Sequence, residues 1–342
     1  MVAASSSSNV CPSAGPGCHV ARKDNTGDWV IEWESVDAGD YDVDEVPDIA
    51  MDPEERTLSL CNMDNNHSKV AYMTVFGTRL INAQGQLMEQ GTTDDGNSGP
   101  LPCTTLIVLC PPGTFCHLCY IESLLNLNIE SDVQVWKQHP DPADTADRAV
   151  SFPFRNSENE AFLCSQSENA VLTHFFAGNY HAVDFACPIG TEFVAVGNGT
   201  VLNVKTEHSK VTGISVQNMF QWNSLMLRLD SDMSEDARLD ANDATITGDR
   251  IFRDASSLYV EYVHIDTVCV GVGDVVQVGQ VLGRTGAAGF CPTPHLHLSA
   301  YRSSDDTAPT CRVYFRGMKN GNLFLPQAGT MYNENGPVDP AH

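Results

Sequence analysis

Two histidines lie one residue apart in the apolar stretch CPTPHLHLSAY, residues 291 to 301. Side chains at positions i and i+2 of a β-strand point to the same face, so His295 and His297 are expected to lie side by side. Imidazole groups bind metal ions and carry protons near neutral pH. The pair therefore predicts a site for metal binding or proton transfer.

Two other stretches offer partners for this pair. NYHAVDFACPIGT, residues 179 to 191, contains Asp184, and YVEYVHID, residues 259 to 266, contains His264. A hydrolytic zinc site needs about three protein ligands from histidine and carboxylate, with a fourth position left for water. Asp184, the histidine of the first stretch (His181) and one histidine of the His-x-His pair would supply these ligands.

The order of these motifs resembles the lysostaphin-type zinc metallopeptidases, the family of bacterial peptidoglycan endopeptidases. The resemblance covers roughly residues 170 to 301 and rests on the succession HAVDF, GTEFVAVGNGTV, YVHID, VGDVVQVGQVLGRTG and PHLHLSAY. The resemblance implies that the protein is an enzyme, a zinc-dependent endopeptidase that hydrolyses peptide bonds with metal-activated water. The implied substrates are peptides, among them those of bacterial cell walls. The resemblance also implies that Asp184 and His297 bind Zn²⁺, while His264 and His295 lie unligated beside it and assist catalysis.

The first metal ligand departs from the family's pattern. That pattern is His-x-x-x-Asp, but Tyr180 occupies the histidine position and His181 precedes Asp184 by three residues. On a regular strand His181 would point to the opposite face from Asp184, unless a bulge turned it back. His174, in ENAVLTHFFAGNYHAVDF, is the other candidate and the one we favour, because a loop could carry it over the sheet without violating strand alternation.

The elements that would position these residues are mainly β-strands. Short β-branched and aromatic runs are separated by Gly, Asn and Asp, which is typical of antiparallel sheet. The only helical candidate is YIESLLNLNIE, residues 120 to 130. A long acidic insertion between Leu229 and Ser256 is expected to be a functional or disordered loop.

The chain is expected to contain two β-rich domains. The proline-bearing, polar segment HPDPADTADR, residues 139 to 148, is the best candidate for a linker. We predict a disordered leader over 1–25, a β-rich N-terminal domain of unknown role over 26–148, an antiparallel metallopeptidase domain over 149–325 and a C-terminal tail over 326–342.

The composition limits which classes of binding partner and which cellular compartment fit this protein. A formal net charge of −25 argues against nucleic acid, whose phosphates demand a basic surface. No apolar run reaches the roughly 20 residues of a membrane-spanning helix. Twelve cysteines indicate an oxidising, extracellular environment with disulfides, although the N-terminal residues do not resemble a secretory signal. The sequence does not indicate an oligomeric state.

Two alternatives to the enzyme remain open. The shifted first histidine also fits a catalytically inactive, secreted binding or signalling module that retains the fold. A purely structural β protein stapled by disulfides would bind no stoichiometric metal. The Cys116-His117-Leu118-Cys119 stretch has the spacing of half a zinc-binding or redox motif. Because the sequence has no second CxxC, we favour the interpretation that these are ordinary disulfide cysteines.

Overall fold

The computed structural model confirms that the chain is mainly β. It describes residues 48–144, 148–155, 160–168, 170, 172–230, 258–319 and 321–338, together with the backbone of two earlier strands, 17–23 and 29–35. Within these ranges the only helical element is a five-residue 3-10 helix, Val216–Phe220. None of the described residues forms a helix that is long and apolar enough to span a bilayer.

The described residues group into two compact units. Unit 1 comprises residues 1–137 with the short segments 169–173 and 214–217, and unit 2 comprises 138–168, 174–213 and 218–342. The predicted domain limits stay predictions. Within the described part of unit 1 the strands are β1 (Gly17–Lys23), β2 (Trp29–Ser35), β3 (Ile49–Asp52), β4 (Thr57–Asn62), β5 (Lys69–Phe76), β6 (Leu80–Ile81), β7 (Gly91–Asp95), β8 (Leu101–Cys110), β9 (Thr114–Ile121) and β10 (Asn128–Val135).

Unit 1 is built from antiparallel sheets around one apolar core. The strands lie in the orders β10-β5-β8-β7 and β3-β4-β9-β6, and β1 pairs with β2. Alternate side chains of the first two sets meet in a buried cluster that includes Leu58, Met73, Leu106 and Leu118. This burial follows from strand alternation, because every second residue of these strands points into the core.

Unit 2 contains a nine-stranded sheet in the order β20-β15-β17-β18-β23-β13-β12-β26-β27. Two small sheets, β14-β21-β19 and β11-β24-β25, and the parallel pair β16 and β22 accompany it. The strands are β11 (Ala149–Ser151), β12 (Phe162–Gln166), β13 (Val183–Ala186), β14 (Glu192–Val194), β15 (Gly199–Lys205), β16 (Val211–Gly213), β17 (Ser224–Leu229), β18 (Leu258–Val263), β19 (Ile265–Val268), β20 (Val275–Val276), β21 (Val281–Thr285), β22 (Gly289–Phe290), β23 (His295–Tyr301), β24 (Tyr314–Arg316), β25 (Leu323–Phe324), β26 (Met331–Asn333) and β27 (Gly336–Val338).

One face of the large sheet packs on an aromatic core, and the other carries the polar residues of interest. Phe154 stacks on Phe162 with ring centroids 4.0 Å apart, and Phe152 meets Phe185 edge to face at 5.1 Å. Tyr262 is fully buried and its hydroxyl oxygen accepts a hydrogen bond from the Val196 amide at 2.9 Å. Strand β23 pairs with β13 on one side and with β18 on the other, and all three strands bury side chains in this core.

The expected helix over 120–130 is wrong. Strand β9 extends to Ile121 and β10 begins at Asn128, so only a six-residue connection separates them. Asn126 adopts a positive φ of 62°, a conformation typical of a turn and foreign to a helix. The apolar residues that suggested helical spacing lie at the ends of two strands of different sheets and in the connection between them.

Several other expectations concern the ends and the long loop. Part of the predicted leader, Gly17–Lys23, forms β1, while residues 1–16 lie outside the described part of the chain. The predicted tail contributes β26 and β27 to the edge of the large sheet. The acidic insertion lies almost entirely outside the described residues, which resume at Leu258.

Candidate metal centre

Strand β23 presents His295 and His297 on the same face, as strand alternation predicts. His297 Nδ1 lies 2.8 Å from Asp184 Oδ1, and His295 Nε2 lies 3.6 Å from Asp184 Oδ2. Both histidines are buried. The His-x-His pair therefore converges on one carboxylate.

Asp184 reaches this position because β13 pairs with β23. The antiparallel register places Asp184 directly opposite His297. On its other side, β12 has an irregularity between Cys164 and Gln166 that sets Gln166 opposite Asp184, and Gln166 Nε2 donates to Asp184 Oδ2 at 2.8 Å. The carboxylate is thus held between two strands and is almost fully buried, with 1% of its surface exposed.

His174 completes the group from a stretch of turns, residues 172–181, between β12 and β13. Its Nδ1 donates to the Ser167 carbonyl at 3.0 Å, which leaves Nε2 facing Asp184 Oδ2 at 3.4 Å. His174 and His297 meet edge to face, with ring centroids 5.1 Å apart. The structure therefore brings His174, Asp184 and His297 together, with ligand atoms within 4.8 Å of one another.

The other candidate first ligand, His181, turns to different partners. It lies just before β13 begins at Val183, so strand alternation does not govern it. Its Nδ1 lies 3.2 Å from Glu168 Oε2, and its Nε2 lies 3.4 Å from the Asp141 carbonyl oxygen. The structure does not bring His181 into the group around Asp184, because its ring nitrogens contact Glu168 and the Asp141 carbonyl instead.

His264 joins His295 through an unusual backbone conformation. It lies between β18 and β19 with a positive φ of 63°, which is uncommon for a residue with a side chain. Its carbonyl accepts from Gly286 N at 2.7 Å, and a Cβ on Gly286 would lie only 3.1 Å from that oxygen. The positive φ interrupts strand alternation, and the ring centroids of His264 and His295 lie 4.5 Å apart.

Backbone carbonyls fix the orientation of these two rings. His264 Nδ1 donates to the Ala288 carbonyl at 2.6 Å, and His295 Nδ1 donates to the Thr293 carbonyl at 2.7 Å. In each imidazole the other nitrogen, Nε2, remains available for chemistry. One hydrogen-bonded nitrogen and one available nitrogen make each ring suitable for proton transfer.

Burial and charge push the pKa values of the site residues in different directions. Burial, then His295, holds the pKa of His264 well below its usual value, so this imidazole is neutral. Burial opposes protonation of His295 as well, but the carboxylate of Asp184, followed by Cys291, raises its pKa to about 10. The pKa of Asp184 lies well below its usual value, because His174, His295 and His297 outweigh the effect of burial.

Three residues that the sequence did not single out also contact the group. Ser299 Oγ lies 2.8 Å from His297 Nε2, Gln166 contacts Asp184 as described, and Cys291 Sγ lies 3.5 Å from His295 Nδ1. Ser299 could have been found, since it continues the i, i+2 face of His295 and His297. Gln166 has no sequence signal, because an irregularity in β12, which cannot be read from the sequence, sets it opposite Asp184.

A zinc ion fits the residues at this centre. Two histidines and one carboxylate are a ligand set of hydrolytic zinc sites. Although the His174 ring is fully buried, its Nε2 has no hydrogen-bond partner, and a buried polar nitrogen without a partner is costly. A metal ion held by His174, Asp184 and His297 would engage that nitrogen.

Comparisons with known proteins find similar metallopeptidases. No family model matches the chain. An uncharacterized metalloprotease of Buchnera aphidicola subsp. Baizongia pistaciae is 25% identical over 122 residues, which are 36% of this chain and only 23% of that protein. The resemblance inferred from the motifs is thus confirmed at the level of similarity.

Solved structures of the same kind are also similar. The catalytic domain of the antimicrobial peptidase lysostaphin from Staphylococcus simulans matches at 20% identity and a TM-score of 0.28, covering 44% of this chain and 87% of that one. A zinc-containing peptidase from Vibrio cholerae matches at 14% identity and a TM-score of 0.28, covering 74% and 84%.

Proposed function

We propose that this chain is a zinc-dependent endopeptidase whose metal is held by His174, Asp184 and His297. The observation that carries the proposal is the convergence of these three buried side chains, with His174 Nε2 facing the carboxylate and lacking a hydrogen-bond partner. A buried group of this composition is costly unless a cation or hydrogen bonds satisfy it.

The chemistry follows from the metal and from two histidines beside it. A bound zinc ion supplies Lewis acidity, which lowers the pKa of a water molecule and polarises a carbonyl group. His264 and His295 contribute their Nε2 atoms, since each Nδ1 is held by a backbone carbonyl. In the proposed roles, one accepts the proton of the attacking water and the other donates to the developing oxyanion.

The substrate in this proposal is a peptide, with bacterial cell-wall peptides as the first candidates. The motif resemblance supports this choice, and the net charge of −25 favours substrates that carry free amines. We assign no nucleic-acid partner, because the chain lacks the positive charge that phosphate binding requires.

We also propose that the protein is secreted and contains at least one disulfide. Cys110 Sγ and Cys116 Sγ lie only 3.4 Å apart, on either side of the turn that joins β8 and β9. Both thiols are buried. Thiol alkylation and mass measurement on protein purified without reductant should show that Cys110 and Cys116 are protected, and alkylation of both would contradict the disulfide.

Metal analysis combined with turnover tests the enzymatic function. The purified protein should bind about one zinc equivalent and hydrolyse peptidoglycan, oligoglycine or D-amino-acid peptides, and His297→Ala should abolish hydrolysis. Undiminished activity in His297→Ala would refute the proposed centre. Stoichiometric zinc with no turnover on any of these substrates would point instead to the inactive binding module, and absence of zinc would point to a purely structural protein.

A further inference from the structure

His174 is the one proposed ligand that does not lie on a strand. His297 and Asp184 lie on paired strands, whereas His174 lies in a stretch of turns and its carbonyl partner, Ser167, follows the last residue of β12. Gln166 is the last residue of β12 with a partner in the β12–β13 register, so the ladder does not hold the next peptide group. Something else must fix the Ser167 carbonyl that orients the ring of His174.

An arginine–glutamate pair anchors that peptide group. Glu168 belongs to the same planar peptide unit as the Ser167 carbonyl, so fixing the Glu168 side chain restricts the rotation of this unit. Arg312 Nε donates to Glu168 Oε2 at 2.6 Å, and Arg312 Nη2 donates to Glu168 Oε1 at 3.0 Å. Such a two-pronged pair has a defined geometry as well as strength.

The arginine is in turn tied to a third segment. Its backbone amide donates to Asp144 Oδ2 at 3.1 Å, and its Nη1 donates to the Asp144 carbonyl. His181 contacts Glu168 Oε2 from the other side at 3.2 Å. The guanidinium is partly buried, with 19% of its side chain exposed, which shields the pair from solvent more than an open surface position would.

We propose that Glu168 and Arg312 are positioning residues for the metal centre: they hold the Ser167 carbonyl, which directs His174 Nε2 toward the metal. The inference rests on the proposed zinc site. It also gives His181 a role, as a neighbour that contacts Glu168 and not as a ligand. Loss of the partners that orient a metal-bound histidine typically weakens metal affinity by about 10- to 100-fold.

The test measures zinc affinity by competition with a chromophoric chelator in Glu168→Gln, Arg312→Ala and the double variant. We expect both single variants to bind zinc at least about 10-fold more weakly than the wild type. The double variant should be hardly weaker than either single variant, because the two residues act as one unit. If only charge mattered, the two single variants would change zinc affinity in opposite directions. Glu168→Gln removes a negative charge and would weaken zinc binding, whereas Arg312→Ala removes a positive charge and would tighten it.

An ion pair elsewhere in the same unit provides the matched control. Arg284 Nη2 donates to Glu192 Oε1 at 2.6 Å on the small sheet, and both side chains are exposed. Glu192→Gln and Arg284→Ala should leave zinc affinity unchanged. Thermal unfolding of the metal-free variants sets the temperature of the titrations, so that folded proteins are compared.

The outcomes separate the inference from the function on which it rests. Wild-type affinity in both Glu168→Gln and Arg312→Ala would overturn the positioning role while leaving the zinc site intact. Tighter binding in Arg312→Ala would also overturn it, in favour of a charge effect. A wild-type protein that binds no zinc would overturn the proposed function, and the positioning role with it.

Discussion

Replacing each candidate first ligand by alanine tests the assignment of His174 over His181. Both rings are buried, so each replacement leaves a comparable cavity in the same unit of the protein. Only His174 places a nitrogen without a hydrogen-bond partner 3.4 Å from Asp184. The pair of variants therefore separates loss of a ligand from loss of packing.

The expected magnitudes differ by at least tenfold. Loss of a residue that merely orients a metal ligand lowers metal affinity by about 10- to 100-fold. Loss of the ligand His174 itself should therefore lower zinc affinity by at least about 100-fold. His181→Ala removes one contact of Glu168, but Arg312 keeps two hydrogen bonds to the same carboxylate, at 2.6 and 3.0 Å. We therefore expect His181→Ala to retain zinc affinity within about tenfold of the wild type.

Zinc affinity is measured by chelator competition, and peptide hydrolysis is measured at saturating zinc. Both are read well below the melting temperature of the less stable variant. His174→Ala should lose both properties, and His181→Ala should keep most of both. If His181→Ala lost at least as much zinc affinity as His174→Ala, the reasoning from the orphaned Nε2 would be refuted.

Three further changes probe the site and its support. Ser299→Ala removes the partner of His297 Nε2 and should weaken zinc binding by about 10-fold or more, measured against an exposed control, Ser303→Ala; equal affinities would contradict this. Tyr262→Phe leaves the buried Val196 amide without its acceptor and should lower the free energy of unfolding by about 1–3 kcal/mol in denaturant titrations. Burial raises the pKa of Glu261 in the folded protein. The protonated carboxyl therefore stabilises the folded state below the unfolded-state pKa, and this stabilisation is lost as the pH rises from that value through the raised pKa of the folded state. Glu261→Gln should flatten the fall of stability over this range, and an unchanged pH profile would count against the burial effect.

Local patterns predicted much of the site because they depend on neighbouring residues alone. Strand alternation placed His295 and His297 on one face, whereas the pairing of β13 with β23, which joins residues 113 apart in sequence, brought Asp184 opposite His297. The mainly β character followed from short apolar runs broken by turn residues. The same reasoning failed over 120–130, where two strands and a turn imitate the spacing of a helix.

Alternation could not decide between His174 and His181, because neither lies on a strand. His181 precedes β13, and His174 lies in turns whose path depends on contacts with Ser167, seven residues away. His264 likewise reaches His295 through a positive φ, which a sequence pattern of strand residues does not predict.

The sequence by itself thus determined which residue types are available for metal chemistry and which pair shares a strand face, since both follow from composition and period. Only the tertiary structure decided which histidine completes the centre and what holds it. Arg312 lies 144 residues from Glu168 along the chain, and Gln166 lies 18 residues from Asp184. Such partners are chosen by strand register and chain reversal, which depend on the packing of the whole unit and not on local spacing.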